Sequence, residues 1–201
     1  MLLTDILKQS AQRFASHPAL TMRMGYRTVT LTYADVERVS LRVALLLEQQ
    51  GVGKGDCVLL CAPNSPLWVC AFWGCVLRGA IVVPLATQST QAMVDKIAAA
   101  VNPKLFFKSQ HTLLTATYGK TVSMEHVINL REQEPIARIP ELPALVESDI
   151  FQIMYTSGTT GDPKGVVLTH ANIMSNVMSL QQSFALRGTR ERLLSILPLS
   201  H

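Results

Sequence analysis

The run Tyr155-Thr156-Ser157-Gly158-Thr159-Thr160-Gly161-Asp162-Pro163-Lys164-Gly165 gathers five hydroxyl-bearing side chains, three glycines and one lysine. Glycine lets the backbone approach a ligand closely and turn successive N–H groups toward it. Thr156, Ser157, Thr159 and Thr160 add short hydroxyl donors, and Lys164 adds a compact positive charge. Pro163 fixes one φ angle and keeps the segment out of helix. This is the chemistry of phosphate binding, and a polyphosphate is its natural guest.

Spacing excludes two familiar phosphate loops. A Walker A loop needs Gly directly before its Lys and Ser or Thr directly after; here Pro163 precedes Lys164 and Gly165 follows. The dinucleotide fingerprint G-x-G-x-x-G fails because Gly158, Gly161 and Gly165 are wrongly spaced. A plain Gly/Thr surface loop would share the composition, but not this particular order. Gly158, Gly161 and Gly165 predict that Thr156 to Lys164 is weakly ordered, with few contacts to the sheet, when no nucleotide is bound.

The elements around the run must aim it. Ile150-Phe151-Gln152-Ile153-Met154-Tyr155 is rich in β-formers and predicts a buried strand. Thr169 can cap a following helix that carries Ile173, Val177, Leu180 and Phe184 on one stripe. The loop is therefore expected between a strand and a helix, where open α/β sheets place their ligands.

Upstream, Met1 to Ser16 has an amphipathic helix pattern, and Ala19–Met24 with Arg27–Tyr33 predicts two strands around a turn at Gly25-Tyr26. Thr32 or Asp35 opens a long helix closed by Gly51. Strands at 56–62, 81–83 and 104–108 alternate with helices over 67–77 and from Ser89-Thr90 to Val101. The β-rich runs are apolar on both faces, which implies a mostly parallel sheet flanked by helices: an α/β fold. From Ser109 to Leu130 a helix near His111–Tyr118 and one further strand are expected, and Arg131–Ser148 reads as a connecting segment. Arg192–Leu197 is expected to be a strand leading into Pro198-Leu199-Ser200-His201.

The central run closely resembles the signature loop of the adenylate-forming superfamily of acyl-CoA synthetases, luciferase-type enzymes and peptide-synthetase adenylation domains. The match is unbroken from Thr156 to Gly165 and continues through Val166-Val167-Leu168-Thr169-His170 and Asn172. Weaker likeness covers His17 to Leu20, Leu31 to Tyr33, Gly51 to Asp56, Asn64-Ser65, Gly79-Ala80 and Pro84-Leu85. Leu197 to His201 is similar to the next superfamily motif, in its fatty acyl- and aryl-CoA synthetase form, and implies His201 beside the substrate pocket.

The resemblance implies a carboxylic acid, expected to be a fatty acid, activated by ATP as an acyl-adenylate and passed to CoA. Thr156, Ser157, Gly158, Thr159, Thr160, Gly161, Lys164 and Gly165 would hold the ATP phosphates, with Lys164 as the catalytic cation. Mg²⁺ would share the phosphate charge, although no carboxylate here stands out as its ligand, and Asp162 is expected to face solvent. The resemblance further implies that 1–201 is the N-terminal portion of a larger AMP-binding domain. Residues 1–50 would form a helix, a hairpin and a second helix, and 51–201 the α/β part with the signature loop. Later motifs and a C-terminal domain would follow His201, and the 201-residue chain should not catalyse by itself. A non-catalytic phosphate-binding module, or an adenylation domain for an aryl or amino acid, is the alternative.

Composition agrees with that class. The chain is 48% hydrophobic and 16% charged, against about 25% charged in typical domains, which suits a densely packed α/β core or a piece that expects a covering partner. The formal charge of +4 comes from scattered basic residues, with Arg187, Arg190 and Arg192 the only local cluster, so nucleic acid is not an expected partner. Cys57, Cys61, Cys70 and Cys75 lie in apolar surroundings with no C-x-x-C pair, as expected of buried, reduced thiols. No secretory leader opens the chain, and Leu67–Val83 is too short and too broken by Arg78 for a membrane span. A cytoplasmic protein is expected, with peripheral contact to a membrane left open.

Overall fold

A computed structural model describes residues 1–115, 118–132, 138–157, 162–183, 192–195 and 197–200. Helix α1 (Leu3–Arg13) is followed by strands β1 (Pro18–Met24) and β2 (Arg27–Thr32), then helix α2 (Tyr33–Gln49). The α/β part runs β3 (Cys57–Cys61), α3 (Pro66–Leu77), β4 (Ile81–Leu85), α4 (Gln91–Val101), β5 (Leu105–Lys108), β6 (Lys120–Ser123) and α5 (Met124–Glu132). It continues with β7 (Ile150–Ser157), β8 (Pro163–Thr169) and α6 (His170–Ser183).

Local chemistry sets most of these limits. β1 and β2 form an antiparallel hairpin, turned at Gly25 with φ of 59°, where a side chain would be strained. The Thr32 hydroxyl accepts from Asp35 N–H, and the Asp35 carboxylate accepts from Thr32 N–H, a reciprocal cap for α2. Ser65 and Thr90 cap α3 and α4 through the N–H groups of Trp68 and Met93. Asn102 ends α4 in the left-handed conformation.

The main sheet has six strands in the order β6-β5-β3-β4-β7-β8. All neighbours are parallel except β7 and β8. Alternation along the strands builds two cores. Val58, Leu60, Val82, Leu105 and Phe107 face the side covered by α1, α2, α3 and α5. Leu59, Val83, Leu85 and Phe106 face α4. The expected α/β fold with a mostly parallel, helix-flanked sheet is therefore observed.

Helix α3 is apolar all round, as a helix enclosed on every side must be. One side meets the sheet, with Phe72 edge-on to Phe151 at 6.2 Å. The other meets α2 so closely that a Cβ on Gly74 would lie 2.4 Å from Val43 Cγ1. Glycine inside a helix costs about 1 kcal/mol; here it brings the two helices into contact. Cys61, Cys70 and Cys75 are buried and Cys57 half-buried, and none of the four is in a disulfide. Burial pushes the Cys61 thiol up to about 11 and raises that of Cys75 as well.

Three expectations need correction. Residues 111–115 and 118 are not helical; Thr112 bonds back to the Ser109 carbonyl in a turn, and Lys108 donates to Leu114 O. Leu113 is exposed while Leu114 is buried, so no helical stripe forms there, and the helix comes later as α5. The described residues of Arg192–Leu197 form no strand, because a strand needs a ladder partner and Leu193 and Leu194 stand 89% and 88% exposed. Finally, the glycine-rich run does not lead directly into a helix: β8 intervenes.

The start of α1 is tied to the start of α6 at His170. Its imidazole is buried, Nδ1 accepts from Leu3 N–H at 3.3 Å, and the ring lies 5.6 Å from that of Phe151. An imidazole that accepts at Nδ1 in this way must be neutral there.

Two tests follow from this packing. Gly74→Ala should lower the free energy of urea unfolding by about 1–3 kcal/mol through overpacking, and Val43→Ala in the same chain should recover part of the loss. Strictly additive effects would place the cause outside the α2–α3 contact. Burial holds His170 below its ordinary value of 6.5, partly offset by Asp149. The folded state thus binds that proton more weakly than the unfolded chain. Its contribution is complete above about 6.5 and is lost as pH falls from there through the depressed folded value. Urea midpoints should drop between pH 7 and pH 5, and His170→Gln should flatten that drop; an equal slope in the variant would assign it to other groups.

Candidate functional site

β7 runs parallel to β4, with Gln152 beside Val82. Its C-terminal end therefore leaves the sheet at the same edge as the ends of β3 and β4. β8 returns antiparallel, pairing Ser157 with Pro163, Thr156 with Lys164 and Tyr155 with Gly165. The phosphate-type run is thus the tip of a β-hairpin. Gly158, Thr159, Thr160, Gly161 and His201 lie outside the described residues. At Thr156-Ser157 and Pro163-Lys164 the expected weak order with few sheet contacts is corrected, because these residues pair with one another as the ends of β7 and β8.

Register divides the flanking residues between two faces. Ile153 and Tyr155 pack on the α4 side, and Gly165 lies opposite Tyr155 on that side. A Cβ on Gly165 would approach Ile153 Cγ2 to 3.0 Å and Tyr155 Cζ to 3.2 Å. The glycine makes room for a tyrosine ring there. Thr156 and Lys164 face the other way, directly opposite each other, and both are exposed. Lys164 forms no ion pair with a described residue. A hydroxyl and a cation are thus held side by side on rigid strands, next to the tip.

Asp162 is exposed to solvent, as expected. Its carboxylate takes a 2.6 Å ion pair from Lys96 of α4, and that hydrogen bond holds the carboxyl below its usual range. The two exposed partners are 66 residues apart, so nothing local in the sequence marks Lys96. At the base of the hairpin, Thr169 caps α6 reciprocally with Asn172, as expected. The N–H groups of His170 and Ala171 donate to the carbonyls of Asp149 and Glu147, which ties the end of β8 to the entry of β7.

A second feature lies along the same sheet edge. The helix after β3 covers one face of the sheet and the helix after β4 covers the other. This is the topological switch point at which open α/β sheets leave a crevice for ligands. A cleft of about 220 Å³ opens there, lined by Ala62, Pro63 and Asn64 after β3, Thr87 and Gln88 after β4, and Pro198 and Ser200. None of these side chains is ionisable. The hairpin therefore offers charge to an anion, and the cleft beside it offers uncharged surface to a neutral group.

Mg²⁺ finds no cage in this arrangement. Among the described residues no group of three or more His, Cys, Asp or Glu side chains is placed to hold a metal, and Asp162 is already paired. No helix among them is long and apolar enough to cross a membrane.

Residues 7–201 match the family model described as "AMP-binding enzyme". The chain is 33% identical over 84% of its length to 4-coumarate-CoA ligase 1 of Narcissus pseudonarcissus, of which it covers 33%. It is 29% identical over 99% of its length to a long-chain-fatty-acid–CoA ligase of Bacillus subtilis, of which it covers 42%. The chain thus spans well under half the length of these relatives. The solved N-terminal domain of FACL13 from Mycobacterium tuberculosis superposes over the whole chain with a TM-score of 0.86 at 29% identity, and the chain covers 52% of it. With the signature run on a β-hairpin at the ligand edge of an α/β sheet, the chain belongs to the AMP-binding family of adenylate-forming enzymes.

Proposed function

We propose that the protein carrying this chain is an acid–thiol ligase that activates a fatty acid with ATP and transfers it to CoA. One observation carries the reading: Thr156 and Lys164 stand opposite each other at the ligand edge, beside a cleft whose described lining residues are uncharged. The substrate class draws on relatives named for long-chain fatty acids. Relatives named for 4-coumarate make an aryl acid the second reading.

In the first step a carboxylate oxygen attacks the α-phosphorus of ATP and the bond to the β-phosphate breaks, giving acyl-adenylate and pyrophosphate. Negative charge builds on the departing pyrophosphate. Lys164, with the hydroxyls of Thr156, Ser157, Thr159 and Thr160 and the backbone of Gly158, Gly161 and Gly165, would hold it. In the second step the thiol sulfur attacks the acyl carbonyl and AMP leaves. His201 would stand at the acyl side, at the end of the segment that lines the cleft. Among the described residues no carboxylate set is placed to hold Mg²⁺, and no step is assigned to it. A cytoplasmic setting, and a division at residue 50 between the leading hairpin-and-helix part and the α/β part, belong to the same proposal.

Replacing Lys164 with Ala in the whole protein should slow adenylate formation far more than thioester formation from a supplied acyl-adenylate, because only the first step builds charge on pyrophosphate. Losing one such contact costs about 2–4 kcal/mol, roughly 30- to 1,000-fold in rate. Single-turnover measurement of each half-reaction decides it, and equal slowing of both would assign Lys164 to the fold. Comparing palmitate with 4-coumarate as the acid separates the two substrate readings. The 201-residue chain by itself should form no thioester from ATP, palmitate and CoA; turnover by the purified chain would show that it holds a complete site.

A further inference from the structure

Asn64 follows β3 in the loop before α3, and its side-chain amide grips backbone 133 residues further along. Its Nδ2 donates to the Leu197 carbonyl at 2.8 Å, and its Oδ1 accepts from Leu199 N–H at 2.8 Å. One planar amide thus satisfies a carbonyl and an N–H two residues apart, as a paired strand would. We propose that Asn64 is the positioning residue that holds Leu197–Ser200 as one wall of the switch-point cleft. The segment running into His201 is thereby kept in a fixed shape against the uncharged part of the acid substrate. The role toward the acid rests on the function proposed above; the clasp itself does not.

Asn64 is placed to act as an anchor. The strand before it is buried through Cys61 and Ala62. The residue after it, Ser65, caps α3, and Pro66 begins that helix. A side chain fixed from both sides loses little further freedom when it binds, which is what a supporting residue needs. The gripped segment has few other anchors. Leu193, Leu194 and Leu197 are 89%, 88% and 73% exposed, so their burial does not hold it. Leu199, between the two gripped groups and Ser200, packs against the larger core.

The wall that results has a definite chemistry. Pro198 and Ser200 line the cleft together with Thr87 and Gln88, and none of its described lining residues is ionisable. A triphosphate belongs at the hairpin, with its cation, and the carbon chain or ring next to the carboxylate belongs in the cleft. The Leu197 and Leu199 groups are near enough to solvent to be hydrated when the clasp is lost. Its removal should therefore loosen the segment locally and leave the global fold intact.

Two variants test this. Asn64→Leu removes both hydrogen bonds at similar volume, and Asn64→Asp keeps the acceptor for Leu199 N–H while losing the donor to Leu197. Hydrogen exchange of the 201-residue chain, read at the Leu199 amide, should be faster by about tenfold in Asn64→Leu, with exchange in β3 and the melting temperature unchanged. In Asn64→Asp the Leu199 amide should exchange near the wild-type rate. In the whole protein Asn64→Leu should raise KM for palmitate or 4-coumarate severalfold without moving KM for ATP. Unchanged exchange at Leu199 in Asn64→Leu would overturn the clasp, as would loss of protection throughout both variants. Equal rises in KM for acid and ATP would overturn the positioning role. A wild-type protein with no ligase activity would sink the proposed function, while the exchange result would still decide the clasp.

Discussion

The parallel pairing of β7 with β4 is the constraint on which the site depends. β4 is buried from Val82 to Leu85 between the two cores, so its placement is fixed by packing on both faces. Once β7 lies alongside it in parallel, Thr156 and Ser157 must emerge at the edge where β3 and β4 also end. β8 can then only return antiparallel, which brings Lys164 opposite Thr156. The placement of cation and hydroxyl together thus follows from one strand pairing, and the ends of that hairpin are tied to α6 and α1 through Asp149, Glu147 and His170.

The same edge carries two chemically different surfaces. The crossing of α3 to one face of the sheet and α4 to the other opens a crevice between β3 and β4, and its described lining residues are neutral. One strand over, the hairpin projects beyond the sheet with a lysine free of described ion pairs. Charge and neutral surface are therefore separated by the width of a strand or two. An enzyme that must hold a polyphosphate and an acyl group at one phosphorus needs that juxtaposition.

Close approach of backbone recurs in how the frame is built. Gly74 lets α2 sit against α3, and Gly165 lets the Tyr155 ring lie flat across the neighbouring strand. The Gly165 case modifies a natural reading of the signature run, in which every glycine serves the ligand. At least this one also serves the sheet, because its missing Cβ is the space that Tyr155 and Ile153 occupy.

Much was legible in the sequence, for local reasons. Caps at Thr32, Ser65, Thr90 and Thr169, the turn at Gly25, and apolar runs of strand length each act within a few residues, so their partners are near in sequence. The family signature in Thr156 to Lys164 was legible in the same way, since composition and order sit in one run. What only the tertiary structure decided are the contacts between distant segments. That β8 follows the run as a paired strand depends on β7 being there to accept it. That residues 192–195 form no strand depends on having no ladder partner, since their apolar pattern alone would permit one. Lys96 at Asp162 and Asn64 at Leu197 and Leu199 join groups 66, 133 and 135 residues apart. No local periodicity encodes such pairs, because they are fixed by where the sheet edge brings its loops together.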